Sequence, residues 1–267
     1  MDYKKRFIVV SKQENEGIIG NDSTLLENYF ELGWEVAGTY IDCKYLLNKG
    51  ILNKYDTIVT HSGREFLYEN QFHRVINYLD FKNYINLDNV EVIDLVDNCI
   101  RYHLMEHSGN SDWIRVNHMD DDMDNNILSD INYNTNLTIP TVPYCCLLYR
   151  KRDHANYRNI SDEYFENEIL QKMKNKYQYI YVMGKGGEKY HNGKQVFYCN
   201  LQDWITLSKT ADYIWCTLSG VVNLLFFTMG KETKCDVLIH NCARDGKNFV
   251  IAGDVLNYRH IKINFIG

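Results

Sequence analysis

One stretch of the chain concentrates groups that bind phosphate. Arg150, Lys151, Arg152 and Arg158 crowd into the segment 150–159, with Asn159 at its end. The segment follows an apolar run, 144–149, and precedes Ser161, which reads as a helix N-cap with Asp162 and Glu163 in the first turn. A loop at that position offers free backbone N–H groups and a favourable helix dipole to an anion. Arginine adds planar, bidentate contacts to phosphate oxygens that lysine does not copy. A solvated charged loop is the bland alternative.

Four further groups could carry chemistry. Ser219-Gly220 precedes the apolar stretch 221–229, so Gly220 would let backbone approach a ligand at a helix start; a helix start without a ligand has the same pattern. Gly184-Lys185-Gly186-Gly187 follows a strand-like run but has neither phosphate-loop spacing, and it reads as a plain turn or a turn near a base or ribose. In the first half, Asp97 (with Asp94 nearby) and His61 fall just beyond strand-like runs. That is where a base that deprotonates an acceptor hydroxyl would sit, or where an ordinary polar loop residue would. Asp120-Asp121-Asp122 could hold a divalent cation beside a diphosphate, although a solvated acidic loop is the stronger reading. Cys235, His240 and Cys242 lack the second pair that a zinc site requires, and no G-x-S-x-G nucleophile turn is present.

These groups need elements to hold them. The runs 7–10, 34–40, 55–60 and 90–96 read as four strands of the first half, and Thr24 to Glu27 opens a helix between the first two, ended by Gly33. The loop after the first strand carries Gly17 and Gly20. The second half repeats the alternation, with strands at 144–149, 179–183, 195–199, 213–216, 237–240 and 249–251. Phe165, Ile169, Met173 and Tyr177 recur at helical spacing, and Trp204, Ile205 and Leu207 mark a shorter helix. The acidic and polar stretch 119–143 contains both prolines, Pro140 and Pro143, and marks a boundary. The expectation is an α/β chain of two Rossmann-like parallel-sheet domains, 1–133 and 134–267, facing a cleft.

The totals narrow the class. The chain has 267 residues, a net charge of −6 and eight cysteines. Its 45% hydrophobic and 24% charged residues describe a globular chain. No signal peptide or membrane-length apolar run is visible, so a cytoplasmic protein with reduced thiols and no membrane partner is expected, in the host cytoplasm if the source is viral. The acidic balance counts against non-specific nucleic-acid binding and leaves a local basic groove open.

The layout resembles glycosyltransferases of the two-Rossmann, GT-B type. The likeness rests on the loop bearing Gly17 and Gly20 and on Tyr149-Arg150-x-Arg152 followed by Arg158-Asn159, similar to a diphosphate-binding arginine segment. It is closest to the DNA glucosyltransferases of T-even bacteriophages. There a strand like Tyr55-Asp56-Thr57-Ile58-Val59 precedes a polar loop, and a later strand ends at an aspartate base, where Asp97 falls. The resemblance implies a nucleoside-diphosphate sugar donor, UDP-linked by expectation. Arg150 or Arg152, together with Arg158, would lie on its phosphates. Gly17, Gly20, Asn159, Gly184, Ser219, Gly220 and Asn223 would complete the donor site. Asp97, with His61, would act as base in an inverting transfer of a hexose or pentose. No metal is required, and Asp120-Asp121-Asp122 is where a divalent ion would sit. DNA carrying a hydroxymethylated base is the implied acceptor. A surface or capsid glycan, and a non-catalytic nucleotide- or nucleic-acid-binding role, stay open. The chain departs from that family in being shorter and acidic, and in having only Asn223 near the place of the ribose-binding acid.

Overall fold

The structure is a computed structural model and describes residues 5–12, 35, 39–84, 89–96, 137–151, 159–217, 219–229, 232–238 and 263–266. Gly17, Gly20, Asp97, Arg152, Arg158 and the triplet at 120–122 lie outside these residues, as does the side chain of Asn223. The chain divides into two compact units, Met1–Tyr133 and Asn134–Gly267. Every strand pairing described in either unit is parallel.

In the first unit, β1 (Lys5–Val9), β2 (Thr57–Thr60), β3 (Arg74–Asn77) and β4 (Val90–Asp94) form a sheet in the order β3-β2-β1-β4. Phe7, Ile8 and Val9, the last three residues of central β1, are buried, as their unbroken apolar run requires of a strand covered on both faces. One face closes with Phe7, Val9 and Val59 against Tyr78, Phe81 and Val96. Helix α1 (Tyr40–Asn48), a 3-10 turn at Glu65–Leu67 and the single turn α2 (Tyr78–Phe81) complete the described elements.

Two departures from the sequence pattern have local causes. The run 34–40 reads as a strand, yet Tyr40 opens α1 and Thr39 has helical backbone angles. Thr39 Oγ1 donates to the Val10 carbonyl at 2.6 Å and lies 3.3 Å from the Glu35 carbonyl one turn earlier. Tertiary hydrogen bonds therefore override the β preference of Thr39 and Tyr40. The fourth strand was expected through Val96 but ends at Asp94, whose carboxylate accepts the Val96 N–H at 3.0 Å and turns the chain. Strand β3 was not anticipated, because His73-Arg74 and Asn77 interrupt its apolar pattern.

The second unit holds six strands: β5 (Tyr144–Leu148), β6 (Tyr179–Met183), β7 (Val196–Tyr198), β8 (Tyr213–Thr217), β9 (Lys234–Leu238) and β10 (Ile263–Ile266). Their order is β7-β6-β5-β8-β9-β10. This is the 3-2-1-4-5-6 order of doubly wound nucleotide-binding sheets. Helix α3 spans 162–174, with π winding over Phe165–Leu170; α4 is Leu201–Ser208 and α5 is Gly220–Thr228. Ser161 and Asn200 cap α3 and α4 by accepting the N–H of Tyr164 and Asp203.

Residues alternate between the two faces of the sheet. Cys145, Leu147 and Tyr149 face the core beneath Phe165, Ile169 and Leu170 of α3. Tyr144 is on the opposite face and its hydroxyl donates to Leu207 of α4 at 2.8 Å, so α3 and α4 cover opposite faces. Ser208 and Thr228 join α4 to α5 at 3.3 Å. The strand expected at 249–251 lies outside the described residues, and β10 was not foreseen. The six described cysteines are buried and unpaired. Among the described residues no helix is long and apolar enough to cross a membrane.

Candidate functional site

A doubly wound sheet opens a crevice at the carboxyl ends of the two adjacent strands whose connections run in opposite directions. In the second unit these are β5, which leads away through β6 and β7, and β8, which leads away through β9 and β10. The residues that follow them are Tyr149, Arg150 and Lys151 on one side and Ser219 and Gly220 on the other. Arg150 and Lys151 and the Ser-Gly pair, far apart in sequence, therefore flank one switch point.

The geometry there is specific. Arg150 is 6% exposed, which is unusual for an arginine. Its carbonyl accepts the Ile160 N–H at 3.1 Å and closes the loop onto the strand end. Asn159, just before Ile160, is half-buried. Ser219 is the N-cap residue of α5, but its side chain caps nothing, in contrast to Ser161 and Asn200. The Val222 N–H donates to the Ser219 carbonyl at 2.9 Å, and the Ser219 side chain does not compete for the N–H groups of Gly220 and Val221 ahead of it, the kind of donors a helix start offers an anion. Thr217 Oγ1, at the last residue of β8, has no hydrogen-bond partner among the described residues, nor does Ser219 Oγ.

A charged cluster braces the β5 side. The Tyr149 hydroxyl donates to Asp162 Oδ1, Lys189 Nζ pairs with Asp162 Oδ2, and Lys151 Nζ lies 3.6 Å from Oδ1. Lys189 foremost, then Tyr149, hold the Asp162 carboxyl down at about 2. Burial first, with the Asp162 contact next, pushes the Tyr149 phenol up to about 12. Lys189 also sits over the Tyr149 ring at 5.1 Å. It comes from the turn Gly187–Tyr190, just past the glycines. Gly184 packs directly against the Tyr149 carbonyl, which gives that turn a steric role at the strand end. Sequence reading missed Lys189, Asp162 and Thr217 as site residues, and it included Tyr149 in the arginine segment without giving it a role. Thr217 and Ser219, polar between an apolar strand and an apolar helix, were the available signal.

In the first unit the corresponding switch lies between β1 and β4, and Lys12 pairs with Asp94 there at 2.7 Å. His61 follows β2. Its Nδ1–H donates to the Ser62 carbonyl at 2.8 Å, so the neutral ring carries its lone pair on Nε2. Burial first, and the Arg64 guanidinium second, lower the imidazole from 6.5 to about 4. The ring is therefore neutral near pH 7. The unfolded chain takes up this proton near 6.5 and the folded chain only near 4, so the unfolded state binds more protons between those values. Stability contributed by neutral His61 is complete above pH 6.5 and is lost as pH falls toward 4. The urea midpoint should decline over that window, and His61→Gln should flatten the decline. An unchanged slope in the variant would assign the decline to other groups.

Among the described residues no group of three or more His, Cys, Asp or Glu side chains could hold a metal ion. No protein-family model, curated protein or solved structure matches the chain. The strand orders define an α/β protein with two parallel sheets, and Arg150 and the start of α5 flank the switch point of the second.

Proposed function

We propose that the chain is a glycosyltransferase that moves a sugar from a nucleoside-diphosphate donor to a hydroxyl acceptor. One observation carries the reading: Arg150 and the uncapped start of α5 flank the β5/β8 switch of a six-stranded sheet in nucleotide-binding order. In this reading the second unit holds the donor. Arg150, with Arg152 and Arg158 of the same loop, would stabilise the charge that develops on the departing diphosphate. The finer arrangement proposed is GT-B, with the first unit on the acceptor side. Asp97 follows the end of β4 in sequence, and it would take the acceptor proton in a single inverting displacement. The acceptor class proposed is a hydroxymethylated base in viral DNA, extruded from the duplex for reaction. A surface or capsid glycan is the rival acceptor.

The test has two arms. In a thermal-shift panel of UDP-, GDP- and CMP-sugars, one donor should raise the unfolding midpoint, because a ligand that binds only the folded state stabilises it. Asp97→Ala should then abolish transfer while donor affinity stays unchanged. Silence from every donor sinks the donor site. A donor shift with unchanged turnover in Asp97→Ala removes Asp97 from the chemistry. Binding without any transfer by the wild type leaves a non-catalytic nucleotide-binding protein.

A further inference from the structure

The face of β8 that meets α3 becomes polar toward its carboxyl end. Tyr213, Trp215 and Thr217 share that face by alternation. The Tyr213 hydroxyl donates to Asp236 at 2.7 Å. The next two polar atoms on that face, Trp215 Nε1 and Thr217 Oγ1, have no partner among the described residues, although Trp215 is 1% and Thr217 0% exposed. Ser219 Oγ, at the N-cap of α5 just beyond the strand, is likewise without a partner among the described residues. A buried donor without a partner carries its full desolvation penalty, so three in succession call for a group that supplies partners.

The chemistry of the row differs from that of the loop beside it. All three groups are neutral, whereas Arg150 and Lys151 are cations. The surroundings are aromatic. Phe165 lies 6.1 Å from Trp215 and 5.0 Å from Tyr149 between ring centroids. Leu147 pairs with Trp215 in register, which sets Tyr149 level with Thr217 on the same face. Aromatic rings take the C–H face of a saturated ring, and an indole N–H with two hydroxyls matches its hydroxyl groups. An anion alone would draw on the cations and the helix start and would leave this row unpaired.

We propose that Trp215, Thr217 and Ser219 form the subsite for the uncharged sugar of the donor, next to the phosphate site at Arg150 and α5. This rests on the donor reading above and adds which residues sense the sugar.

The experiment uses the full chain and whichever donor of the UDP, GDP and CMP panel stabilises the wild type, together with that donor's bare nucleotide. Thr217→Val keeps the side-chain shape and removes the hydroxyl. It should weaken the sugar nucleotide about tenfold and leave the bare nucleotide within about twofold. Trp215→Phe, which removes the indole N–H and keeps an aromatic ring, is the second variant should Thr217→Val not fold, with the same expectation. Unchanged affinity for the sugar nucleotide overturns the subsite, since buried water then satisfies the row. Equal weakening of both ligands also overturns it, because the row would then serve the phosphates. If the wild type binds no donor at all, the donor reading itself falls, and that outcome is distinct from either of these.

Discussion

Gly184→Ala should be the most damaging small substitution in the second unit, lowering stability by roughly 3–6 kcal/mol. Two effects combine. Gly184 has φ +112°, in the region that L side chains rarely adopt, and a Cβ there would stand 1.9 Å from the Tyr149 carbonyl oxygen. That oxygen belongs to backbone at the end of β5, where the Tyr149 N–H is already fixed to the Met183 carbonyl at 2.9 Å. Neither side can yield without parting β5 from β6. Gly63→Ala is the control: its φ is +82°, and nothing lies within 4 Å of an added Cβ. It should cost only about 1 kcal/mol, the conformational part alone. Urea denaturation of both variants separates the clash from the strain. A Gly184→Ala loss no larger than that of Gly63→Ala would show that the strand ends can part, and it would deprive Arg150 of its rigid support. With a typical domain stable by about 5–15 kcal/mol, the expected loss is enough to unfold the unit on moderate warming.

Legibility in the sequence followed the range of the cause. Runs such as 179–183, apolar and bounded by polar turns, gave strands with the right ends, because burial on both faces leaves a local imprint. The caps at Ser161 and Asn200 have equally local chemistry, although only the first was read. Arg150 and Ser219-Gly220 were each picked out by position after a strand and were read together as two walls of one pocket. That they flank one crevice depends on strand order, which no local pattern encodes. The run 34–40 failed for the complementary reason. Its β-branched and aromatic residues favour a strand, and the bonds that make Thr39 helical reach Val10, far away in sequence. Lys189 was passed over because its partners, Asp162 and Tyr149, come from another part of the chain.

Arg64→Met should cost about 3–5 kcal/mol, because it strands a carboxylate in the interior of the first unit. Glu35 is fully buried, and Arg64 Nη1 lies 2.6 Å from its Oε2. The Tyr68 hydroxyl donates to Glu35 Oε1 at 3.1 Å, the Thr60 hydroxyl donates to the same oxygen, and Arg64 Nη1 also reaches Ser11 Oγ at 3.3 Å. The group ties the ends of β1 and β2 to the segment that precedes α1. It also holds the guanidinium whose charge lowers His61. Removing Arg64 leaves Glu35, among the described residues, with two hydroxyl donors and no countercharge. Adding Glu35→Gln to Arg64→Met removes that charge while an amide oxygen still accepts from Thr60 and Tyr68. The double variant should therefore be more stable than Arg64→Met alone, with a coupling of about 1–3 kcal/mol in the four-corner cycle. Additive losses would mean that water reaches Glu35 once Arg64 is gone. The same cycle bears on the candidate base, because His61 in Arg64→Met loses one of the two causes that keep it neutral. Its imidazole should then titrate closer to 6.5, an upward move that NMR titration of the ring would detect.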